Sequence, residues 1–430
     1  MKRSSTTIRL AAVAAASALV LAACGGSDSD GGGDKDSDAP PAAKGDGTLT
    51  IGSLLPATGS LAFLGPPEFA GVDLAIKDIN AAGGVNGKDV VGVKADSGDT
   101  DSGIAPAETD KLLKAKADVI VGAASSGVSF TVIDKIMSAG TVMYSPANTS
   151  TDFDLKAPYD KPDLYFRTAP SDILQGAVLA NLLVKDGRQN VAILARQDAY
   201  GETLAKEVTK NLENAGSKVA ASVLYSEKAG PGDSQITEIA NAKADAVVLI
   251  AFEETTTIVP KLIQAGAGPT DVPTYFVDGN TANYDKDATA SLPAGSLTGT
   301  KGTIPGADAG DAFKKRLLEV DPELKDYTYS AESYDAVVTS ALAAIVAADD
   351  SGAAIAKALP DVTRGGEKCD SFEKCAELLK ADPKADIDYD GVSGPIELSD
   401  LGSPTAASIG IYEYDKDNKI SPIEFIAGNI

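Results

Sequence analysis

The sequence predicts an α/β protein made of two doubly wound parallel-sheet lobes, and three observations carry that expectation. Short apolar runs of strand length alternate with helix-periodic segments across short loops, the pattern of a parallel sheet covered by helices on both faces. The series runs through once and starts again near residue 165, and a chain of 430 residues is long enough for two or three units with cores of their own. Two successive strand candidates, 118–122 and 141–144, both stop in loops of small hydroxyl residues, and open α/β sheets place their ligands at the carboxyl ends of strands.

The folded part is expected to start near Thr48. Residues 49–55 read as a strand closed by Pro56-Ala57-Thr58-Gly59, and Pro66-Pro67 suits the first turn of a helix. Phe69, Val72, Ile76 and Ile79 put one apolar stripe on that helix, and Gly83-Gly84 ends it. A strand over 90–94, a helix over 106–117 and the strand at 118–122 complete βαβαβ. In the second series, helices are expected over 173–185, 203–215, 233–242 and 255–264, with strands over 191–194, 219–224, 246–251 and 274–277. Pro260 is a candidate kink.

Composition narrows the chemistry. Acidic residues outnumber basic ones 62 to 38, a formal charge of −24 that repels nucleic acid and anionic lipid and serves solubility. Histidine is absent, which removes Ser-His-Asp and Cys-His nucleophile systems and His-containing zinc sites. Carboxylate, Lys or Tyr catalysis stays open, but a non-enzymatic role is expected. No cofactor and no metal are assigned.

The amino terminus reads as an address. Lys2, Arg3 and Arg9 flank the start of an apolar run over 10–21, too short for a stable transmembrane helix, as in an export signal. Leu21-Ala22-Ala23-Cys24 resembles a bacterial lipobox, which implies removal of 1–23 and lipidation of Cys24; the alternative is a chance Cys after a small-residue cleavage site. Residues 24–47, rich in Gly, Ser and Asp, are expected to be a tether. Exported proteins retain disulfides, so Cys369 and Cys375 are expected to pair; a thiol metal or redox site lacks further ligands and the C-x-x-C spacing.

Candidate site residues lie at strand ends, and each has a plain reading beside the functional one. Ser125 and Ser126 precede a helix, where hydroxyls and free N–H groups bind anions or simply cap. Tyr200, read in a strand-to-helix loop, covers a ligand or packs. Phe252 walls the site or belongs to the core. Asp278 receives a cation from the cleft, or Asp278-Gly279 is a turn.

Several motifs carry a resemblance. Leu55-Pro56-Ala57-Thr58-Gly59, Glu68-Phe69-Ala70-Gly71 and Asp78-Ile79-Asn80-Ala81-Ala82-Gly83-Gly84-Val85-Asn86-Gly87 resemble the opening of solute-binding proteins of the branched-chain amino acid-binding type. Tyr144-Ser145-Pro146-Ala147-Asn148-Thr149, Tyr165-Phe166-Arg167-Thr168 and Tyr200-Gly201 follow in the order of that family. The resemblance implies a class I periplasmic-binding fold, two α/β lobes joined by three crossings that close over a ligand. It implies that Ser126, Ala147 and Thr149 hold an amino acid's α-carboxylate and ammonium, that Tyr200 and Phe252 close from the second lobe, and that an acid at or beside Asp278 meets the ammonium. Leu64 takes the position that touches the ligand side chain. Phe252 stands where amino acid binders of the family often have Tyr, and the match at Asp278 slips by one residue.

The implied boundaries are 48–167 with 302–394 for lobe one and 168–301 with 395–430 for lobe two. Helices are expected over 308–320 and 330–347, with Tyr334 facing the cleft or the core, and a final strand over 409–414. Asp386, Asp388 and Asp390 alternate as in a calcium loop but lack the rest of an EF-hand. The expected protein is an exported, lipid-anchored monomer that passes an amino acid, or a small amide or carboxylate, to an ABC permease; the alternative is an extracellular sensor acting on a signalling partner.

Overall fold

The computed structural model describes residues 44–155, 162–288 and 290–430; the expected signal peptide, Cys24 and the tether up to residue 43 lie outside the described residues. Its first strands and helices follow the expected alternation: β1 (Thr50–Leu55), α1 (Gly65–Ala81), β2 (Val91–Asp96), α2 (Ala105–Lys114), β3 (Val119–Gly122), α3 (Ser126–Ser138), β4 (Val142–Ser145) and β5 (Tyr165–Arg167). These strands form one parallel sheet in the order β2-β1-β3-β4-β5. Tyr165 thus closes the first sheet, and the second series begins after Arg167. The end of the expected tether is held, with Gly45 and Gly47 N–H groups donating to Asp349 and Asp350.

The second series is α4 (Asp172–Lys185), β6 (Asn190–Arg196), α5 (Ala199–Asn214), β7 (Lys218–Tyr225), α6 (Asp233–Asn241), β8 (Ala246–Ile250), α7 (Thr255–Gln264) and β9 (Thr274–Phe276). It continues into β10 (Lys301–Pro305), which pairs with β9 through Gly302 and Phe276. The expected return to the first lobe at Gly302 therefore comes only after Pro305. Gly302 reads as a break, yet it is glycine because a Cβ would sit 2.2 Å from Thr281 Oγ1.

The chain next forms α8 (Gly310–Leu317), α9 (Ser330–Ala347), α10 (Gly352–Ala358), β11 (Glu367–Cys369), α11 (Phe372–Ala381), β12 (Ile387–Gly391) and β13 (Gly394–Pro395). Helix α9 is buried on nearly all sides from Ser330 to Ala344, which explains why most of its residues are small or apolar on every face. It packs against α1 so closely that a Cβ on Gly71 would lie 2.2 Å from the Ser330 carbonyl. Tyr334 belongs to this core and donates to Asp78 at 2.7 Å, so its core reading holds. Cys369 and Cys375 form the expected disulfide, both buried in the same cluster. Asp388 and Asp390 sit on β12 with the Lys368 ammonium beside them, which is the geometry of a strand and not of a calcium loop.

Strands β14 (Ala406–Tyr414) and β15 (Ile420–Asn429) return to the second sheet, whose order is β15-β14-β10-β9-β8-β6-β7. Both pair antiparallel, so this sheet is parallel with an antiparallel margin. β15 has a largely exposed pattern without a buried stripe, and residue-by-residue reading passes over it. The chain passes between the two sheets after β5, after β10 and after β13. Arg167, fully buried, ties the first and third passages together: its guanidinium donates to Ser150 O, Asp154 and Ser403, and its N–H donates to Gly402 O.

Candidate functional site

The carboxyl ends of β3 and β4 build one wall. Gly122 has φ +128°, and a Cβ there would stand 2.0 Å from Leu54 O, so only glycine lets β3 turn away beside β1. The following Ala123 and Ala124 carbonyls are fixed from β4: Ser145 donates to Ala123 O at 2.7 Å, and Asn148 Nδ2 donates to Ala124 O at 2.9 Å. Ser125 caps α3, accepting from Val128 N. Ser126 Oγ accepts from Ser150 N, which leaves its proton for a neighbour in the cleft.

The opposite wall comes from the second sheet. Tyr200 lies in the first turn of α5 and not in a loop, because Asp198 caps that helix by accepting from Gly201 N at 2.8 Å. Gly201, which suggests a loop, is required by helix-to-strand contact: a Cβ would meet Arg196 O at 2.1 Å. Phe252 is held between Tyr200, with ring centroids 5.4 Å apart, and the Arg196 guanidinium, 3.5 Å from its ring. Arg196 in turn binds Asp198 at 2.6 Å, Glu254 at 2.8 Å and Glu227 at 3.1 Å, so one buried cation gathers the loops after β6, β7 and β8. This backing orients Phe252 without the hydroxyl that a Tyr would bring.

Asp278 stands at the centre. Its Oδ1 accepts from Tyr200 OH at 2.6 Å and from Gln175 Nε2 at 2.7 Å, and its Oδ2 accepts from Tyr329 OH at 2.7 Å. Burial pushes its carboxyl up, while the two phenols pull it down by stabilising the charged form. Asp172, fully buried at the start of α4, is driven much further up by burial and then by the charge of Asp278, with Thr149 and Arg167 opposing. Of this pair, Asp278 has the phenol donors that favour the charged form, while burial dominates at Asp172.

The structure brings Leu64, Ser125, Ser126, Ala147, Tyr200, Phe252 and Asp278 together around one cavity, with Leu61, Gly279 and Tyr329. Thr149 is not among the residues lining it; its side chain is beside Asp172. The walls are closed, and the remaining space of about 10 Å³ is what a single water needs. Contacts across the cleft hold this state: Glu253 N to Ser60 O at 3.2 Å, Thr203 to Ser150 at 3.2 Å and Lys228 to Asp101 at 3.3 Å. Any ligand larger than water enters only after the walls part.

Sequence reading missed Asp172, Gln175, Arg196 and Tyr329. Asp172 and Gln175 are three apart on one face of α4, a spacing visible in sequence, but nothing local points that face at Asp278. Tyr329 has φ +59°, rare for an aromatic residue, and is held by its bond to Asp278.

Residues 48–366 match the family model described as periplasmic binding protein. The chain belongs to this family. Membership makes it a solute-binding protein and implies a location outside the cytoplasm. Among relatives of this periplasmic binding protein, the chemotactic signal transduction system substrate-binding protein BasB of Halobacterium salinarum is 28% identical over 367 residues, 82% of this chain and 83% of BasB. The leucine-, isoleucine-, valine-, threonine- and alanine-binding protein of Pseudomonas aeruginosa is 33% identical over 174 residues, 40% of this chain and 45% of that protein. The fold matches the branched-chain amino acid transporter substrate-binding protein LivJ of Streptococcus pneumoniae in complex with isoleucine, with a TM-score of 0.69 and 20% identity over 89% of this chain and 100% of that one. It also matches a solute-binding protein of Rhodopseudomonas palustris in complex with p-hydroxybenzoic acid, with a TM-score of 0.71 and 18% identity over 89% and 98% of the two chains.

Proposed function

We propose that this periplasmic binding protein captures an amino acid, of branched-chain type or a related small amide or carboxylate, and delivers it to an ABC importer. The observation that carries the reading is the pairing of unlike walls around one closed cavity. Ser126 offers a hydroxyl proton and Ala147 a backbone carbonyl, while Asp278 offers a buried negative charge opposite them. A zwitterion with a short apolar side chain matches that set, its side chain against Leu61, Leu64 and Phe252. Thr149 acts on the ammonium end together with Asp172.

In this reading lobe one is 48–167 with about 306–394, and lobe two is about 168–305 with 395–430. Binding selects the closed state because the ligand touches both. Cys24 carries the lipid anchor, residues 25–43 reach from the membrane, and the protein acts as a monomer without turnover. Calorimetric titration of protein stripped of bound ligand, with the amino acids and small amides one by one, tests this. Failure of every one to bind sinks the reading.

A second reading has its own support, the likeness to BasB over 82% of the chain. There the closed form is a signal to a chemotaxis partner in the membrane. Loss of amino acid uptake in a strain lacking the protein supports transport, and loss of taxis with intact uptake supports sensing.

A further inference from the structure

Beside the second passage between the sheets lies a separate cavity of about 180 Å³. One side is the exit of β10 at Ile304, Pro305 and Gly306, with Tyr412 of β14; the other is the stretch from Tyr327 to Glu332 that leads into α9. Through Asn283, Lys325, Asp326 and Tyr327 it joins a groove of about 800 Å³ that runs out to Phe63 and Tyr284. Only Tyr329 is shared with the central cavity.

Glu332 is the unusual group in this wall. It is 4% exposed and lines the cavity, and among the described residues the only donor acting on its carboxyl is its own backbone N–H. Its Oε1 lies so near Gly306 that a Cβ there would be 2.4 Å away, which sets the carboxyl against the passage itself. Behind it, Glu68 of α1 is fully buried with neither oxygen hydrogen-bonded, and Asp335 follows one turn along α9. The other charged groups of this wall already have partners: Lys314 pairs with Asp308, also in the wall, at 3.1 Å, Lys325 donates to Asp287 O at 3.2 Å, and Asp326 accepts from Thr328 N at 2.8 Å. A buried acid without a cation, facing space walled by Tyr327 and Tyr412, is the surrounding in which an ammonium gains both a charge partner and aromatic faces.

We propose that this cavity is a second binding site, selective for a small primary amine whose ammonium pairs with Glu332. Its walls come from β10 and β14 of the second sheet and from the run into α9, which packs against α1, so its occupant holds the closed state from outside the central cavity. Burial and Asp335 push the Glu332 carboxyl up to about 8, so at pH 7 it is protonated before the amine arrives. Pairing ionises it: the proton leaves to solvent, and the ammonium replaces it.

Benzylamine and its neutral analogue benzyl alcohol are the probes, titrated calorimetrically into the full mature chain at pH 7 in two buffers of different ionisation enthalpy. Benzylamine is expected to bind at least about tenfold more tightly than the alcohol, with release of about one proton. Glu332→Gln, isosteric with the neutral acid, removes both the preference and the proton release. Tyr412→Leu weakens both probes and leaves their ratio unchanged. Asp278→Asn, which disables the central cavity, leaves benzylamine binding unchanged, and this separates the proposal from the amino acid reading. Equal affinity for the two probes overturns it, as does a preference that survives Glu332→Gln. Loss of benzylamine binding in Asp278→Asn assigns the amine to the central cavity and also overturns it.

Discussion

Replacing Asp278 by Asn isolates the charge at the centre of the site. A carboxylate offers about four lone-pair positions. Oδ1 accepts from Tyr200 and Gln175 and Oδ2 from Tyr329, with the Asp278 and Gly279 N–H groups also acting on the carboxyl, so a ligand ammonium meets the less occupied Oδ2 side. In the variant, the amide oxygen keeps Tyr200 and Gln175, and an NH₂ group then faces both Tyr329 and the ammonium. Tyr329 can rotate its hydroxyl to accept, but the ammonium loses its acceptor and its countercharge. Truncating one partner of a buried, hydrogen-bonded charge pair costs about 2–5 kcal/mol, roughly 30-fold to several thousand-fold in Kd. Tyr329→Phe frees a position on Oδ2 and removes no charge, so its effect stays below about tenfold. The assay is calorimetric titration with whichever amino acid binds the wild type, with thermal melts of the ligand-free proteins as control. Binding of that amino acid by Asp278→Asn within threefold of wild type, at unchanged melting temperature, refutes the ammonium assignment.

Three further outcomes follow from the same contacts. Arg196→Met leaves Asp198, Glu227 and Glu254 without their shared cation and Phe252 without its backing, and is expected to cost on the order of 3–5 kcal/mol in urea unfolding; Arg196→Lys keeps the charge but not the planar fork, and recovers only part of the loss. Glu332 is raised by burial from an ordinary 4.5 to about 8, so the folded chain holds a proton that the unfolded chain releases. Its contribution to stability is full below pH about 4.5 and is lost as pH rises through about 8, a decline of the order of a few kcal/mol that Glu332→Gln flattens in melts recorded across that window. Reducing the Cys369–Cys375 bridge opens a short loop and lowers stability by about 2 kcal/mol, while amino acid affinity stays the same because neither cysteine lines the cavity.

Much of the site was legible because strand ends announce themselves locally. Ser125 and Ser126 stand where an apolar run stops and a helical period starts, and the structure uses Ser125 as the cap that spacing implies. Thr149 was legible as a polar residue in the right loop, but its place beside Asp172, a residue of a different helix, was not. Tyr200 was placed correctly along the chain and wrongly in a loop, because Gly201 looks like punctuation until the carbonyl of Arg196 is seen against it.

By itself the sequence determined what periodicity and capping can encode: alternating strands and helices, two sheets in succession, an apolar central helix and a short-range cysteine pair. Only the tertiary structure decided which sheet β10 joins, that one arginine gathers three loops, and that Asp278 rather than Asp172 lines the cavity. The partners of Asp278 lie 51, 78 and 103 residues away along the chain. Local spacing fixes a side chain's position on its own helix or strand, whereas burial and charge, which set what a carboxyl can do, depend on neighbours that only folding brings together.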